Sequence, residues 1–184
     1  MLKIIDHYAF LVESLDESLI RLKEYGYEND TYEVFESEGT KEAYISMGHE
    51  SGKLLLMEAV SEGPYLKAKS KRGTGLHHIA IKVENLSLFL GELKNSGWYM
   101  HLHSFEAQKY NTIWLARPGT PLLLEISEAK SLCEKNAVDY FIRSADLSLL
   151  IDPKLISALN LPELSSSKDN FHLFHTEQES FKGF

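Results

Sequence analysis

Ile5-Asp6-His7-Tyr8-Ala9-Phe10-Leu11-Val12-Glu13-Ser14-Leu15 is answered, 71 positions later, by Leu76-His77-His78-Ile79-Ala80-Ile81-Lys82-Val83-Glu84-Asn85-Leu86. His7 falls over His78, Ala9 over Ala80, Glu13 over Glu84 and Leu15 over Leu86. The correspondence runs on, with Leu19, Leu22 and Gly26 over Leu90, Leu93 and Gly97. A repeat at fixed offset decides the architecture before any single element does. Each copy predicts a strand, an amphipathic helix and a glycine stop. In the first copy Ser14 or Asp16 caps a helix whose apolar stripe is Leu19, Leu22 and Tyr25. In the second, Leu86, Phe89, Leu90 and Leu93 form the stripe before Gly97.

After each helix the pattern turns to short β-type runs. These fall at about 31–37, 41–47 and 53–59, with His49-Glu50-Ser51-Gly52 as a turn, and again at about 99–105, 111–117 and 121–127, with Arg117-Pro118-Gly119-Thr120-Pro121 as a turn. Between the copies, Gly63 to Lys71 predicts a short helix opening at Pro64. The fold class is therefore α+β: two βαβββ modules forming a cupped mixed sheet, with a cavity lined by inward-facing strand residues. One domain is expected over 1–128, with repeats at about 1–60 and 75–128, and a partly helical C-terminal extension over 129–184. Within the extension, helical patches are expected in 134–160, and Leu161 to Asn170 is rich in Ser and Pro.

Composition narrows the partners. Apolar residues make up 43% and charged residues 25% of the 184 positions, as in ordinary globular chains, so one sizeable core is available. A net charge of −8 argues against a nucleic-acid partner. The densest cationic run, Lys67-Ala68-Lys69-Ser70-Lys71-Arg72, reads as a solvated helix end or as a seat for an anionic substrate tail. The single cysteine, Cys133, has no internal partner, which predicts a reducing compartment and a cytoplasmic protein. Asp6 and His7 interrupt the apolar N-terminus, which predicts a buried strand rather than a signal peptide. No apolar run reaches the roughly 20 residues that span a bilayer, so no membrane partner is expected.

Strand alternation puts His7, Ala9 and Leu11 on one face and Tyr8, Phe10 and Val12 on the other. The repeat gives His78 the same facing, so a pseudo-twofold brings the two imidazoles to equivalent places. Glu125 sits in Pro121-Leu122-Leu123-Leu124-Glu125-Ile126-Ser127, a strand otherwise apolar on both faces, where a carboxylate is costly without partners. Two His and a carboxylate converging on one pocket suit a divalent metal, while each His alone also reads as a satisfied core residue.

Ile5-Asp6-His7, Gly75-Leu76-His77-His78-Ile79-Ala80 and Leu122-Leu123-Leu124-Glu125 together resemble the vicinal oxygen chelate (glyoxalase/bleomycin resistance/dioxygenase) superfamily, most nearly its methylmalonyl-CoA epimerase-like members. The likeness covers about 3–128 and extends to the approach from Gly63-Pro64-Tyr65-Leu66 through Gly73-Thr74-Gly75. It implies a glyoxalase-like fold, His7, His78 and Glu125 as ligands of a divalent ion (Co, Mn, Zn, Ni or Fe), and a homodimer. His77 is expected to point away by alternation and to be structural. The family's catalytic carboxylate follows a glycine in a segment like Gly-Val-Val-Glu; Gly39-Thr40-Lys41-Glu42 matches it and makes Glu42 the candidate base. The bland reading of Glu42 is a solvated strand residue.

Two departures stand out. The family's fourth ligand, Glu or Gln, falls at Leu55 in Leu55-Leu56-Met57-Glu58-Ala59, and the repeat agrees, since Glu125 less 70 or 71 falls at Leu54–Leu55. Leucine binds no cation. Either three protein ligands and water suffice, or a bulge turns Glu58 inward, or metal binding is lost. Secondly, Phe105-Glu106-Ala107-Gln108-Lys109-Tyr110-Asn111 stands where epimerases carry Gly/Pro-rich sequence near the substrate. The resemblance implies an isomerase or lyase that moves a proton next to a carbonyl of an acyl-CoA or an oxoaldehyde adduct, with Glu42 and Glu125 as its acid/base pair. The alternatives are a non-haem Fe(II) dioxygenase, which uses a two-His-one-carboxylate set, and a non-catalytic small-molecule binding protein of the same superfamily.

Overall fold

The computed structural model describes residues 3–27, 29, 31–46, 53–94, 96–102, 104, 111–118 and 120–130, with the pairs 148–149, 165–166 and 171–172. Its first module runs β1 (Lys3–Val12), α1 (Leu15–Glu24), β2 (Glu33–Phe35), β3 (Thr40–Ser46) and β4 (Lys53–Ala59). A connecting helix α2 (Pro64–Arg72) leads to β5 (Gly75–Val83), α3 (Leu86–Glu92), β6 (Tyr99–Met100), β7 (Thr112–Arg117) and β8 (Thr120–Glu128). Three two-residue strands, β9 (Ser148–Leu149), β10 (Ser165–Ser166) and β11 (Phe171–His172), form a separate small sheet. The expected turn at His49–Gly52, the Phe105–Tyr110 segment, Cys133 and the helical patches of 134–160 lie outside the described residues, apart from β9.

The eight long-module strands make one mixed sheet in the order β2-β3-β4-β1-β5-β8-β7-β6. Strand β1 pairs parallel with β4, β5 pairs parallel with β8, and β1 and β5 join the modules antiparallel. The order reads as a palindrome about the β1–β5 seam, which is what a duplicated βαβββ unit of an α+β glyoxalase-like fold produces.

The two sheet faces are filled differently. Tyr8, Phe10 and Val12 of β1 enter a continuous core with Ile79, Ile81, Ile113, Leu115, Leu124 and Ile126, closed by Leu15 and Leu22 of α1 and Phe89 of α3. Burial of each such side chain contributes about 1.5–3 kcal/mol. Ala9 and Leu11 face the other way into a small cluster with Leu55, Met57 and Tyr65 of α2. Alternation along β1 is thus as the sequence indicates. On α1 the buried residues are Leu15, Ser18 and Leu22; Leu19 packs against the core, but Tyr25, expected in the stripe, is 45% exposed. Tyr25 lies past the last helical residue, where the chain has left the helical period.

Both module helices start in the same way. Ser14 accepts from the Glu17 amide and Asn85 from the Leu88 amide. In each case a glutamate from the last strand of the module accepts the first free helix N–H: Glu58 Oε2 from Leu15 at 2.7 Å, and Glu128 Oε2 from Leu86 at 2.9 Å. An anion at a helix N-terminus also meets the positive end of the macrodipole. Glu58 is therefore committed to α1, and the possibility that it turns inward as a metal ligand is corrected. Glu58→Ala is expected to lower stability by about 1–2 kcal/mol, read as a shift in denaturant midpoint at unchanged slope. A variant as stable as the parent would show that the cap contributes nothing. Among the described residues no helix is long and apolar enough to cross a membrane.

Candidate metal centre

The site lies at the seam. In the register, His7 on β1 faces Ala80 on β5, and Ala80 faces Glu125 on β8; Ala9 faces His78. The two histidines and the glutamate therefore come from three neighbouring strands. His7 Nε2 lies 3.3 Å from His78 Nε2, and Glu125 Oε2 lies 3.8 Å from the first and 3.5 Å from the second. The circle through these three atoms has a radius of about 2.1 Å, which is the length of a Zn–N or Zn–O bond. These side chains form a group that could hold a metal ion. His7 and His78 are buried, and Glu125 keeps a side-chain exposure of 25%, so the carboxylate forms the open edge.

Two irregularities in the β1–β5 pairing shape the surroundings. The register slips between Ile5 and His7 and again between Ala9 and Phe10, leaving Asp6 on β1 and His77 on β5 without Cα partners. A bulge lets consecutive residues share a side. Asp6 Oδ2 accepts from His7 Nδ1 at 2.9 Å, and Lys82 pairs with the other oxygen of Asp6. Burial pushes the Asp6 carboxyl up, but the hydrogen bonds and charges of His7 and Lys82 outweigh it and hold the group well below the usual carboxylate range. An ionised carboxylate on the rear nitrogen fixes the ring and its tautomer, leaving Nε2 to face the site.

His77 behaves in the same way, against expectation. Simple alternation sends it to the far face, whereas the second bulge sets its Nδ1 2.9 Å from the Nδ1 of His78, with Tyr65 of α2 packed on its ring at 5.0 Å between centroids. Burial, aided by the Arg72 charge, lowers His77 to about 3 and leaves it neutral. Burial likewise lowers His78 well below its ordinary value, with the neighbouring His77 and His7 adding to the effect. Burial raises Glu125, and the nearby His7 partly offsets this.

Glu42 stands on β3 opposite Met57, one sheet row beyond Leu55 and Tyr44. Tyr44, two residues on, meets the His7 ring edge to face at 5.5 Å, so Glu42 and Tyr44 look onto the same side as the histidines. Glu42 is 8% exposed, not the solvated strand residue of the bland reading. Its Oε1 accepts from the Thr40 hydroxyl at 2.8 Å, and burial raises its pKa, with the Thr40 bond acting the other way. Gly39 supplies the turn before it at φ +70; a Cβ there would lie 2.8–2.9 Å from Ser61, whose amide and that of Val60 bond to the Gly39 carbonyl. Trp114 completes the wall, edge-on to His78 at 4.9 Å.

Leu55 pairs with Ala9 as Glu125 pairs with Ala80. It is thus the symmetry mate of Glu125, and it is buried with Ala9, Leu11, Met57 and Tyr65. The sequence does not single out Asp6, His77, Tyr44 or Trp114 as neighbours of the site; the repeat marks His7 and His78, but not what the bulges bring beside them.

Paired βαβββ modules, with a two-His-one-carboxylate group at their seam that could hold a metal ion, define the class of fold. The chain belongs to the glyoxalase/bleomycin resistance protein/dioxygenase superfamily, whose profile matches residues 6–113. Among solved structures it is similar to a hypothetical protein, BH1468, from Bacillus halodurans C-125, at 29% identity over 72% of this chain and 99% of that one, with a TM-score of 0.57. It shares its fold with methylmalonyl-CoA epimerase from Mycobacterium tuberculosis (21% identity, 67% of this chain and 86% of that one, TM-score 0.52). The same holds for a variant of Streptomyces coelicolor methylmalonyl-CoA epimerase in complex with 2-nitronate-propionyl-CoA (22% identity, 71% and 100%, TM-score 0.55). No functionally curated protein matches the sequence.

Proposed function

We propose that this chain is a metal-dependent isomerase or lyase that moves a proton on the carbon next to a carbonyl, with an acyl-CoA or an oxoaldehyde adduct as substrate. The observation that carries the reading is the His7–His78–Glu125 group, with donor atoms 3.3–3.8 Å apart, sharing its side of the sheet with the buried carboxylate of Glu42. His7, His78 and Glu125 would hold the ion, which when bound supplies Lewis-acid polarisation of substrate oxygens. Glu42 takes the proton on one side of the reacting carbon: its raised pKa brings it nearer to neutrality, where a general base works best, and Thr40 orients it through Oε1. Glu125, at the partly open edge, returns the proton from the other side. Tyr44 and Trp114 exclude water from the histidines. Co, Mn, Zn, Ni and Fe all suit this donor set, and a homodimer is the assembly we expect.

Leu55 favours one second reading. With no carboxylate at that corner, the donor set has the two-His-one-carboxylate composition of Fe(II) oxygenases. Protein purified without a His-tag is expected to carry about one divalent ion per chain. After metal supplementation in D2O it is expected to exchange the α-proton of methylmalonyl-CoA or of an oxoaldehyde adduct. Absence of exchange with every such substrate rejects the isomerase reading. Iron with oxygen uptake selects the oxygenase instead, and a chain without metal selects a binding protein.

A further inference from the structure

The β1–β5 seam has two extra residues, and each sets a partner on the Nδ1 of the ligand histidine that follows it. The two partners are chemically unlike. Ionised Asp6 can only accept, so His7 carries a hydrogen on Nδ1, and a His7 that binds a cation presents a bare Nε2. His77 meets His78 nitrogen to nitrogen at 2.9 Å, and two neutral rings at that distance share a single hydrogen; two N–H groups facing each other would repel, and two bare nitrogens would form no bond.

We propose that His77 is a positioning residue for His78 and that its tautomer is coupled to cation loading. This rests on reading His7, His78 and Glu125 as the cation site. The hydrogen count follows from one N–H per neutral ring. A His78 that binds a cation needs a bare Nε2, so its hydrogen sits on Nδ1 and is donated to His77 Nδ1; the His77 hydrogen then sits on Nε2. In protein stripped of divalent ions, His78 Nε2 faces the Glu125 carboxylate, an acceptor, with Oε2 at 3.5 Å. A hydrogen on that Nε2 serves it, His78 Nδ1 is bare, and His77 donates from its own Nδ1. Loading thus moves one hydrogen across each ring without changing the proton number of the pair. His77 is 7% exposed and wedged between Tyr65 and His78, so it meets both demands by exchanging tautomers rather than by swinging away.

The test uses the full chain with 15N-labelled histidine, first stripped of metal and then titrated with Zn2+. Stripped protein is expected to show His77 with Nδ1–H and His78 with Nε2–H. Loaded protein is expected to show His77 with Nε2–H and His78 with Nδ1–H, with His7 on Nδ1–H throughout. By chelator competition, His77→Phe is expected to weaken Zn2+ binding about 10–100-fold, whereas His77→Asn, whose amide oxygen accepts the same hydrogen, stays near the parent affinity. A merely structural role predicts the reverse order, because Phe is the better filler beneath Tyr65. Zn2+ bound with His77 still on Nδ1–H, or bound as tightly by a folded Phe variant, overturns the proposal while leaving the site intact. No Zn2+ binding by the parent chain overturns the site reading and the proposal with it. If the Phe variant fails to fold, the parent's tautomers decide.

Discussion

Glu42→Gln is expected to slow α-proton exchange by about 10²–10⁴-fold and to leave the metal content unchanged. The substitution preserves shape, and the Gln carbonyl can still accept from the Thr40 hydroxyl that now bonds Oε1. What it removes is the basic oxygen. Glu42 is not one of the grouped donors His7, His78 and Glu125, so a drop in rate at full metal occupancy separates the base from the ligands. Stability gives an independent sign. A carboxylate 8% exposed, with burial raising its pKa, is costly to keep, so the neutral Gln variant is expected to be at least as stable as the parent. Loss of rate without loss of stability is the mark of a residue retained for chemistry. An exchange rate within a few-fold of the parent, measured by deuterium incorporation, would assign the proton to another group.

The grouping of His7 with His78 was legible in the sequence because duplication converts a three-dimensional relation into an offset, and Glu125 was legible as a lone carboxylate in an apolar strand. His7 and His78 coincide at 71, and the same shift leads from Glu125 to Leu55 within one residue. The structure accounts for that residue: Ala9 pairs with Leu55 while Ala80 pairs with Glu125, a separation of 71 on one strand and 70 on the other. The repeat also foretold the two βαβββ modules; of the two cap candidates for the first helix Ser14 is the one that caps, and the repeat did not announce the Asn85 cap of the second. It could not foretell where His77 points, because alternation is a property of one strand and a bulge is a property of two. Nothing in Leu76-His77-His78-Ile79 marks the slip against Ala9–Phe10. Nor does the sequence around Glu58 announce a contact with Leu15, 43 residues away, though Glu128 and Leu86 repeat it and a comparison of the copies at that position would have found the pair.

Leu55→Glu is expected to make stability strongly dependent on divalent cation. Leu55 is 3% exposed, and a carboxylate placed there without a partner costs about 3–5 kcal/mol, or a fall in Tm of roughly 10 °C for a chain of this size. If Leu55 is the symmetry mate of Glu125 in function as well as in register, the new carboxylate meets the cation held by His7, His78 and Glu125. Binding then opposes the penalty: a ligand at a hundredfold excess over its Kd returns about 2.7 kcal/mol, and a fourth protein donor lowers that Kd. The variant should therefore melt well below the parent in chelator, and its Tm should rise with Zn2+ by more than the parent's does. Equal shifts would place the corner away from the ion. The same experiment bears on chemistry, because on the three-ligand reading a fourth protein ligand would fill a position otherwise left to water or substrate. A metal-tightened variant that exchanges protons normally would point to the three-ligand arrangement as neutral drift. One that binds metal tightly but has lost oxygen uptake would make Leu55 the residue that keeps a coordination position open.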